Sequence, residues 1–335
     1  MTDVAKRGCT AGRKGAAATL KRLAGFREFI MVVVILLLCL GMFIATPNFL
    51  TPLNFEGIIL GLSVEGIIAI GMVVLLACGG LDLSVGSTLA FTGVVTGLCL
   101  NANIPTALAV MIGLFAAVCA GLANGLLIAK VGLNSFITTF GMSTALRGMV
   151  LIFAKGTAVL GLGDNFKAIG QAKLLGLQIP IYVLLILTVI GDLALRNLRY
   201  MRQAYYIGSN ENAARLSGIQ VDRVKIFCYV LTALLAGISG ILVTARFGTA
   251  SVTIGQGMEM KVLTACIIGG CSMSGGEGSV LGGFLGALFM GLLANSLNLL
   301  GVDIYWQNFI TGAILIIAIV LDKFNESRKL VVRKT

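Results

Sequence analysis

The longest uncharged stretch of the sequence constrains its fold more than any other feature. Residues 83–129 contain no Asp, Glu, Lys or Arg. A membrane-spanning helix needs about 20 mostly apolar residues, so this stretch can supply two such helices. Asn101, Asn103 and Pro105 lie near its middle, and residues of these types favour turns. The stretch therefore predicts two membrane spans joined by a short turn.

The composition extends this conclusion to the whole chain. Hydrophobic residues make up 58% and charged residues 12% of the 335 positions, and the mean hydropathy is +1.00. A soluble domain carries about 25% charged residues, so this chain lacks the polar surface of a soluble enzyme. It contains no His, which argues against a Ser-His-Asp triad and against a zinc site with imidazole ligands. We expect a chain embedded in the lipid bilayer, with no catalytic residues, no bound metal and no resident cofactor.

Apolar segments of sufficient length recur along the chain. The sequence predicts an all-α, polytopic membrane protein with about ten transmembrane helices. The predicted spans are 29–54, 56–77, two within 83–129, 134–153, 179–195, 225–245, 259–273, 280–300 and 304–322. The eight cysteines include no C-x-x-C pair and lie mostly in apolar segments, so they are expected to be buried thiols.

Positive charge is concentrated between the apolar segments. The net charge is +11, and Lys and Arg gather in 6–27, 196–225 and 323–334. Nucleic-acid binders spread basic residues over a folded face, whereas membrane proteins keep them in cytoplasmic loops. Ten spans place all three clusters on one side, so both termini are predicted to be cytoplasmic. The predicted organisation is a basic cytoplasmic N-terminal segment 1–28, a transmembrane domain 29–322 with a cytoplasmic loop 196–224, and a basic cytoplasmic tail 323–335.

Two glycine-rich stretches interrupt the apolar pattern. Residues 79–87 join spans two and three, and residues 268–279 join spans eight and nine. Paired glycines can simply end a helix, and Asp82 or Ser84 can cap the next one by accepting its free N–H groups. Alternatively, each stretch belongs to a discontinuous helix that lines a solute path, because irregular backbone at membrane depth must be shielded by protein or face a cavity. The residues alone leave both interpretations open.

A third stretch, 205–219, lies in the predicted cytoplasmic loop. Asn210 or Ser209 can cap a short helix there, Glu211 suits its positively polarised first turn, and Gly218 can end it. This helix is either a docking surface for a partner or an ordinary interfacial helix. The chain has no G-x-x-x-x-G-K-[ST] motif, so we do not expect it to hydrolyse ATP itself.

Four segments, in their order along the chain, resemble one family. Residues 79–87 resemble G-G-[IL]-D-L-S-V-G, and residues 134–148 resemble P-x-F-I-x-T-L-G…R-G, with Asn134 in place of Pro. Residues 208–219 resemble G-x-N-x-x-A-A-x-x-S-G-I, and residues 268–279 resemble I-G-G-x-S-x-x-G-G-x-G-S. From about residue 30 to 322, the chain thus resembles the permease subunits of bacterial ABC importers of the ribose, xylose and galactose type.

The resemblance implies a subunit of the bacterial inner membrane that translocates a monosaccharide. The implied partners are cytoplasmic ABC ATPase subunits, which bind the ATP, an extracytoplasmic sugar-binding protein, and a second permease copy or a related permease subunit. Permeases of this kind dock a cytoplasmic helix with an E-A-A-x-x-x-G pattern on the ATPase. The matching residues are Asn212, which replaces Glu, and Ala213, Ala214, Arg215 and Gly218.

A monosaccharide is neutral and rich in hydroxyl groups, so its path should offer hydroxyl, amide and carboxylate partners. We expect four polar residues of span five to lie on roughly one helix face: Asn134, Thr138, Thr139 and Ser143. The alternative is that their hydroxyls bond to carbonyls of their own helix. Glu65 should face the protein interior or water, and Arg147 is a candidate partner for it. The candidate pathway residues are Glu65, Asp82, Ser84, Asn134, Thr138, Thr139 and Ser143.

Two other classes of function are alternatives. An ion-coupled secondary transporter of a small polar solute would share the apolar spans and the polar interruptions. Depleting ATP while the ion gradients are kept separates it from an ATP-driven importer. A membrane-embedded enzyme is disfavoured, because the sequence contains no His and no dense cluster of catalytic residues.

Overall fold

A computed structural model of the chain describes residues 27–332 and the side chains of 28–324. Within that range the fold is almost entirely helical. The helices are α1 (Arg27–Ala45), α2 (Pro52–Ala77), α3 (Val85–Asn101), α4 (Thr106–Ala129), α5 (Ser135–Phe153), α6 (Asp164–Gln171), α7 (Ile179–Asn197), α8 (Arg199–Ser209), α9 (Glu211–Leu216), α10 (Val221–Phe247), α11 (Met258–Ile268), α12 (Val280–Leu299) and α13 (Ile304–Val332). Strands β1 (Lys173–Leu174) and β2 (Leu177–Gln178) form an antiparallel hairpin. The predicted segment 1–28 lies outside the described residues except for its last two positions, as do the end of the tail and its side chains beyond 324.

The predicted class of an all-α, polytopic membrane protein is confirmed. Eight helices are long and apolar enough to cross a bilayer: α1, α2, α4, α5, α7, α10, α12 and α13. The other two predicted spans contain the shorter helices α3, of 17 residues, and α11, of 11 residues. The cytoplasmic position of the two termini stays a prediction.

The predicted extent of the eighth span is wrong. The sequence suggested 259–273, but α11 ends at Ile268. At 1.5 Å per residue its 11 residues rise about 16 Å, roughly half of a hydrocarbon core about 30 Å thick. The chain breaks at Gly269 and Gly270, and Gly270 has a φ of +97°, which favours glycine. Because these glycines end the helix, α11 is a half-length helix.

Helices α2 and α10 occupy the centre of the fold. Ile67, Ile68 and Met72 on α2 have 0% exposure. Helix α10 packs against α2, α3 and α4. A Cβ atom at Gly71 would lie 2.7 Å from the Cα of Thr232, so glycine is what allows α2 and α10 to approach this closely. The central position of α2 explains why it is apolar on all sides.

The peripheral helices instead expose large apolar side chains. Leu37 on α1, Ile137 on α5 and Ile316 on α13 are 62%, 71% and 65% exposed. In water such surfaces would be unfavourable, whereas in a bilayer they contact lipid chains or another membrane subunit. The periphery therefore provides the surface that the composition led us to expect.

Residues 154–178 connect α5 to α7 and hold the chain that follows α10. Val159 and Ala250 exchange two backbone hydrogen bonds of 3.0 Å. Helix α6 packs on the end of α10, where Gln171 donates to the Arg246 carbonyl at 2.9 Å. These contacts fix the start of the non-helical segment 248–257, which leads from α10 to α11.

Candidate functional site

The three stretches that interrupt the apolar pattern meet in the structure, and we call their contact around Ala77, Gly208 and Gly275–Gly276 the glycine junction. The Gly276 N–H donates to the Ala77 carbonyl at 3.0 Å, which joins the second stretch to the end of α2. The Tyr205 hydroxyl donates to the Gly278 carbonyl at 2.7 Å, which joins α8 to the same stretch. A Cβ atom at Gly275 would lie only 2.8 Å from the Cα of Gly208. Backbone therefore packs directly on backbone where α8 meets the two interruptions.

Burial of Tyr205 favours the neutral phenol in this junction. The pKa of Tyr205 is raised to about 12, mainly because burial disfavours the phenolate. The hydroxyl therefore keeps its proton at physiological pH and can donate to Gly278. The junction consequently does not depend on pH near neutrality through this group.

Asp82 and Ser84 form a buried hydrogen-bonded cluster with Asn124. One Asp82 carboxylate oxygen accepts from the Ser84 N–H at 2.7 Å and from the Ser84 hydroxyl at 2.6 Å. The Asn124 amide donates to the Ser84 hydroxyl at 3.0 Å, and all three side chains have 0% exposure. The other Asp82 oxygen and the Asn124 carbonyl oxygen have no hydrogen-bond partner among the described residues. The cluster therefore ties the start of α3 to α4 and lies apart from any open cavity.

The segment before this cluster is attached to two further helices. The Leu81 carbonyl accepts from the Tyr229 hydroxyl of α10 at 3.3 Å, which is long for a hydroxyl donor. The Thr139 hydroxyl of α5 lies 3.4 Å from the same carbonyl, but it donates to the Ser135 carbonyl of its own helix at 2.8 Å. Side-chain contacts thus hold segment 81–84 between α4, α5 and α10.

The four pathway residues that were predicted on span five do not share one face of α5. Asn134 caps α5 by accepting from the N–H groups of Phe136 and Ile137, and the Thr138 hydroxyl donates to the Asn134 carbonyl at 2.8 Å. Thr139 is buried and points towards Leu81. Ser143 lies one turn further along, and its hydroxyl is 3.0 Å from that of Ser87 on α3.

Ser143 opens into a polar cavity between α5, α3 and α11, which we call the Arg147 cavity. Its volume is about 450 Å³. Ser143 is the one predicted pathway residue in its lining. The lining residues are Ser87, Ser143, Thr144, Arg147, Gly148, Leu151, Gln256, Gly257 and Glu259. The lining combines one cation, one carboxylate, one amide and three hydroxyls, a set that can donate to and accept from a polar solute.

Arg147 connects this cavity to the non-helical segment 248–257. Its Nη1 donates to the carbonyls of Val252 and Ile254, each at 2.9 Å. The glycines of the segment make its path possible, since Gly255 and Gly257 have φ values of +74° and +72°. The segment ends at the start of a half-length helix, so its irregular backbone lies at membrane depth, where it lines a cavity. The sequence analysis raised a discontinuous helix only for 79–87 and 268–279, so this segment was not anticipated.

Glu65 lies in a different place from Arg147. It lines a small cavity of about 50 Å³ between α2, α11, α12 and α13, which we call the Glu65 cavity. Lys261 of α11 shares that lining and is the charge that acts on Glu65. Arg147 instead faces Glu259. The candidate pair of Glu65 and Arg147 is therefore not formed.

The predicted loop helix is present as α9. The Asn210 side chain accepts from the Ala213 N–H at 3.0 Å and caps it. Glu211 accepts from Lys225 at 2.6 Å and from Arg215 at 3.0 Å. These bonds, that from Lys225 first, hold the pKa of Glu211 below its usual value. The ion pairs thus fasten α9 to the start of α10.

The residues of the docking pattern point in different directions. Ala214 is 4% exposed and packs into the core, whereas Asn212, Ala213 and Arg215 are exposed. Gly218 has a φ of +81°, the left-handed conformation that lets the chain leave α9. Leu216, which the sequence did not single out, is 90% exposed. A partner that docks here would meet Leu216 and the exposed polar side chains before it met Ala214.

Comparison with known proteins places this arrangement in a family. Residues 54–319 match the permease component of the branched-chain amino acid transport system family. The chain belongs to this family of transport permeases. Its match spans nearly all of the helices that build the Arg147 cavity and the glycine junction. As in that family, the protein is a multi-pass protein of the inner membrane.

Several curated relatives are similar over most of their length. The ribose import permease of Bacillus subtilis is 36% identical over 297 residues, which cover 88% of this chain and 90% of the relative. The L-arabinose ABC transporter permease of Azospirillum brasilense is 34% identical over 299 residues, 89% of this chain and 88% of the relative. The ribose import permease of Escherichia coli K12 is 36% identical over 281 residues, 83% of this chain and 88% of the relative. No solved structure matches the chain.

Sequence reasoning missed most of the lining of the Arg147 cavity. Gln256 and Glu259 were not considered, and Arg147 was considered only as a partner for Glu65. One signal was present in the sequence, because Glu259 and Lys261 fall inside a predicted span, and charges within spans mark functional positions. Asn124 was also missed, since a single amide in an apolar helix gives no pattern.

Proposed function

We propose that the chain is the membrane-spanning subunit of an ATP-driven importer, and that it passes a monosaccharide through the Arg147 cavity. The observation that carries this proposal is the cavity itself: a polar site of about 450 Å³ beside a half-length helix. Small-molecule sites measure roughly 300–1,000 Å³, so a single sugar ring fits with some water. Because Arg147 and Glu259 offset each other, the cavity suits a neutral solute.

The chemistry of the lining supports a sugar over an apolar amino acid. Ser87, Ser143, Thr144 and Gln256 supply donors and acceptors for hydroxyl groups, whereas Leu151 is the one large apolar side chain of the lining. The relatives named as ribose and L-arabinose permeases agree with this assignment. The family description names branched-chain amino acids, whose side chains would need a larger apolar surface.

The proposed partners follow from the exposed surfaces. Cytoplasmic ATPase subunits, which would bind the ATP, would dock on α9 around Leu216. A second permease copy or related permease subunit would cover the open side of the Arg147 cavity, because a polar surface at membrane depth is costly against lipid. An extracytoplasmic binding protein would deliver the sugar to the opposite face. We propose no cofactor bound by this chain.

Uptake by the reconstituted complex tests the transported solute. Vesicles containing the chain with its ATPase and binding protein should accumulate labelled D-ribose or L-arabinose, but not L-leucine, and only when ATP is present. Gln256→Ala should lower the rate about tenfold without changing the amount of complex, while Gln220→Ala, a side chain outside the Arg147 cavity, should not. Uptake that persists after ATP depletion with intact ion gradients would favour a secondary transporter.

A matched pair of exposed leucines tests the docking surface. Leu216 on α9 and Leu175 in the hairpin at the other end of the molecule are 90% and 92% exposed. Leu216→Asp should reduce co-purification of the ATPase at least tenfold, whereas Leu175→Asp should leave it unchanged. Ala214→Arg is a poorer test, because it would force a charge into the core. Equal co-purification for the two leucine variants would place the docking surface elsewhere.

A further inference from the structure

A second cavity lies at the predicted cytoplasmic end of the chain, beneath the glycine junction. We call it the Lys225 cavity, and its volume is about 340 Å³. It is bounded by the turn after α2, the loop from α4 to α5, the start of α10 and the helix α9. The residues that matter for its chemistry are Gly79, Ser135, Glu211, Arg215, Lys225 and Tyr229. None of these lines the Arg147 cavity.

One polar stripe of α5 runs from this cavity to the Arg147 cavity. Ser135, Thr139, Ser143 and Arg147 are spaced four residues apart, so they lie along one side of the helix. Ser135 lines the Lys225 cavity, and Ser143 and Arg147 line the Arg147 cavity. The eight residues from Ser135 to Ser143 correspond to a rise of about 12 Å. The two cavities are therefore neighbours along the same helix face.

Segment 81–84 lies between the two cavities. Tyr229, which lines the Lys225 cavity, donates to the Leu81 carbonyl at 3.3 Å. The Thr139 hydroxyl, halfway along the stripe, lies 3.4 Å from the same carbonyl, although its own proton goes to the Ser135 carbonyl at 2.8 Å. A solute that leaves the Arg147 cavity along α5 would have to displace this segment, and it would then arrive beside Ser135 and Tyr229.

The charged groups around the Lys225 cavity are already paired. Glu211 binds Lys225 and Arg215, Arg215 also binds Asp222 at 3.0 Å, and Asp222 binds Lys130 at 3.0 Å. The three charged residues of the lining still carry a net charge of +1. The Ser135 hydroxyl is hydrogen-bonded to Tyr229, and these two hydroxyls together with the remaining N–H bonds of Arg215 and Lys225 can exchange hydrogen bonds with the hydroxyl groups of a sugar. One excess positive charge would also attract an anion, so inorganic phosphate is the competing ligand to test.

We infer that the Lys225 cavity is a second binding site for the transported monosaccharide, occupied on the cytoplasmic side of segment 81–84. This inference rests on the proposed function. Helix α9 forms one wall of the site through Glu211 and Arg215. A sugar in this cavity therefore contacts the same helix that the ATPase is proposed to bind, and its release is linked to the state of that helix.

A single introduced tryptophan can report occupancy of this site. Trp306 is the only Trp of the chain, so Trp306→Phe provides a dark background. In that background, Leu133→Trp places the reporter in the lining of the Lys225 cavity, and Leu216→Trp places it on the same cytoplasmic side but outside the cavity. The full-length chain in lipid nanodiscs is then titrated with D-ribose and with L-arabinose.

One of the two sugars should produce a saturable change in emission for Leu133→Trp and none for Leu216→Trp. Adding Ser135→Ala to the Leu133→Trp chain should weaken that binding about threefold to tenfold. No saturable signal, an equal signal from both reporters, or saturation by inorganic phosphate instead of the sugars would overturn the inference. Normal ATP-dependent sugar uptake by the native complex in the same series would show that the proposed function stands although this site does not.

Misfolding of the Leu133→Trp chain does not prevent the test. Ser135→Cys introduces a thiol into the same cavity, and a membrane-impermeant thiol reagent applied to the cytoplasmic side measures its access. Saturating sugar should slow its modification at least threefold, while Ser217→Cys, exposed at the end of α9, should be modified at an unchanged rate. Equal rates with and without sugar at Ser135→Cys would contradict occupancy of the cavity.

Discussion

Helix α11 carries a charged residue on each of two sides, and each one faces a residue of opposite charge on another helix. The surroundings of the two sites differ. On one side Glu259 faces Arg147 in a cavity of about 450 Å³ that is lined by hydroxyl groups. On the other side Lys261 faces Glu65 in a cavity of about 50 Å³, enclosed by α2, α12 and α13. Two opposite charges therefore face each other once beside an open cavity and once among packed helices.

The difference in space separates two roles. Opposite charges beside an open cavity can interact with a solute, whereas opposite charges enclosed by helices act only on those helices. A half-length helix needs such a support, because it has fewer lateral contacts than a full span. We therefore interpret Glu65 and Lys261 as positioning residues for α11, and Arg147 and Glu259 as groups that contact the solute. The sequence predicted that Glu65 lines the pathway. We now predict that Glu65 affects transport indirectly, by positioning α11.

The largest effect is expected from reversing the enclosed charge. Glu65→Lys puts a second cation beside Lys261 and leaves both without a counter-ion. An uncompensated charge in a site enclosed by helices is strongly destabilising, and the stability of a typical protein is only about 5–15 kcal/mol. The amount of folded protein extracted from membranes should fall at least tenfold. The double variant Glu65→Lys with Lys261→Glu should recover most of it, and failure of that recovery would show that the two residues do not act as a pair.

Neutralising Glu259, the carboxylate in the Arg147 cavity, should affect transport more than folding. Glu259→Gln removes a carboxylate that can accept from sugar hydroxyls, and bonds to charged groups are worth about 1.5–3 kcal/mol. Uptake should fall roughly 10-fold to 100-fold at an unchanged amount of complex. Glu65→Gln is the matched control, and it should lower the unfolding temperature while transport per folded molecule is retained. The reverse pattern would exchange the roles of the two cavities.

The smallest expected effect distinguishes two similar hydroxyls. Thr144 in the Arg147 cavity and Thr311 in the Glu65 cavity both donate to a carbonyl of their own helix, at 3.2 and 2.9 Å. Thr144→Val should raise the KM for the sugar about twofold to fivefold, because the hydroxyl also faces the solute. Thr311→Val should leave KM unchanged and alter stability by less than about 0.5 kcal/mol. An equal change of KM in both variants would remove the distinction between the cavities.

The fold was largely predictable because hydropathy alone identifies long apolar helices. There were two exceptions in extent. The first predicted span was 29–54, but α1 ends at Ala45 and α2 begins at Pro52. In α11, residues 269–273 were counted as part of a span although their glycines end the helix. Apolar character and helical conformation usually coincide in a membrane, and they separate where glycine permits a turn inside the protein. Only the packing of 269–279 against Ala77 and Gly208 decides that outcome.

The site was less predictable because it depends on contacts between distant segments. Asp82 and Ser84 were recognised as polar residues at membrane depth, but their enclosure by Asn124 arises only in the folded chain. The division of α5 into two faces, in contrast, could have been found from the helical repeat. Thr138 follows Asn134 by about 400°, slightly more than a full turn, whereas Thr139 is displaced by about 140° from Asn134. The path of the non-helical segment 248–257 to the Arg147 cavity could not have been predicted, because these residues show no periodic pattern in the sequence.

The half length of α11 has a consequence for how the protein seals the membrane. A full helix excludes water across the whole hydrocarbon layer, whereas this chain bonds the carbonyls of Val252 and Ile254 to an arginine that lines a polar cavity. We therefore expect the barrier to leakage of protons and small ions to be thinner here than the bilayer and to lie in segment 81–84. A variant that loosens this segment should leak ions even in the absence of sugar.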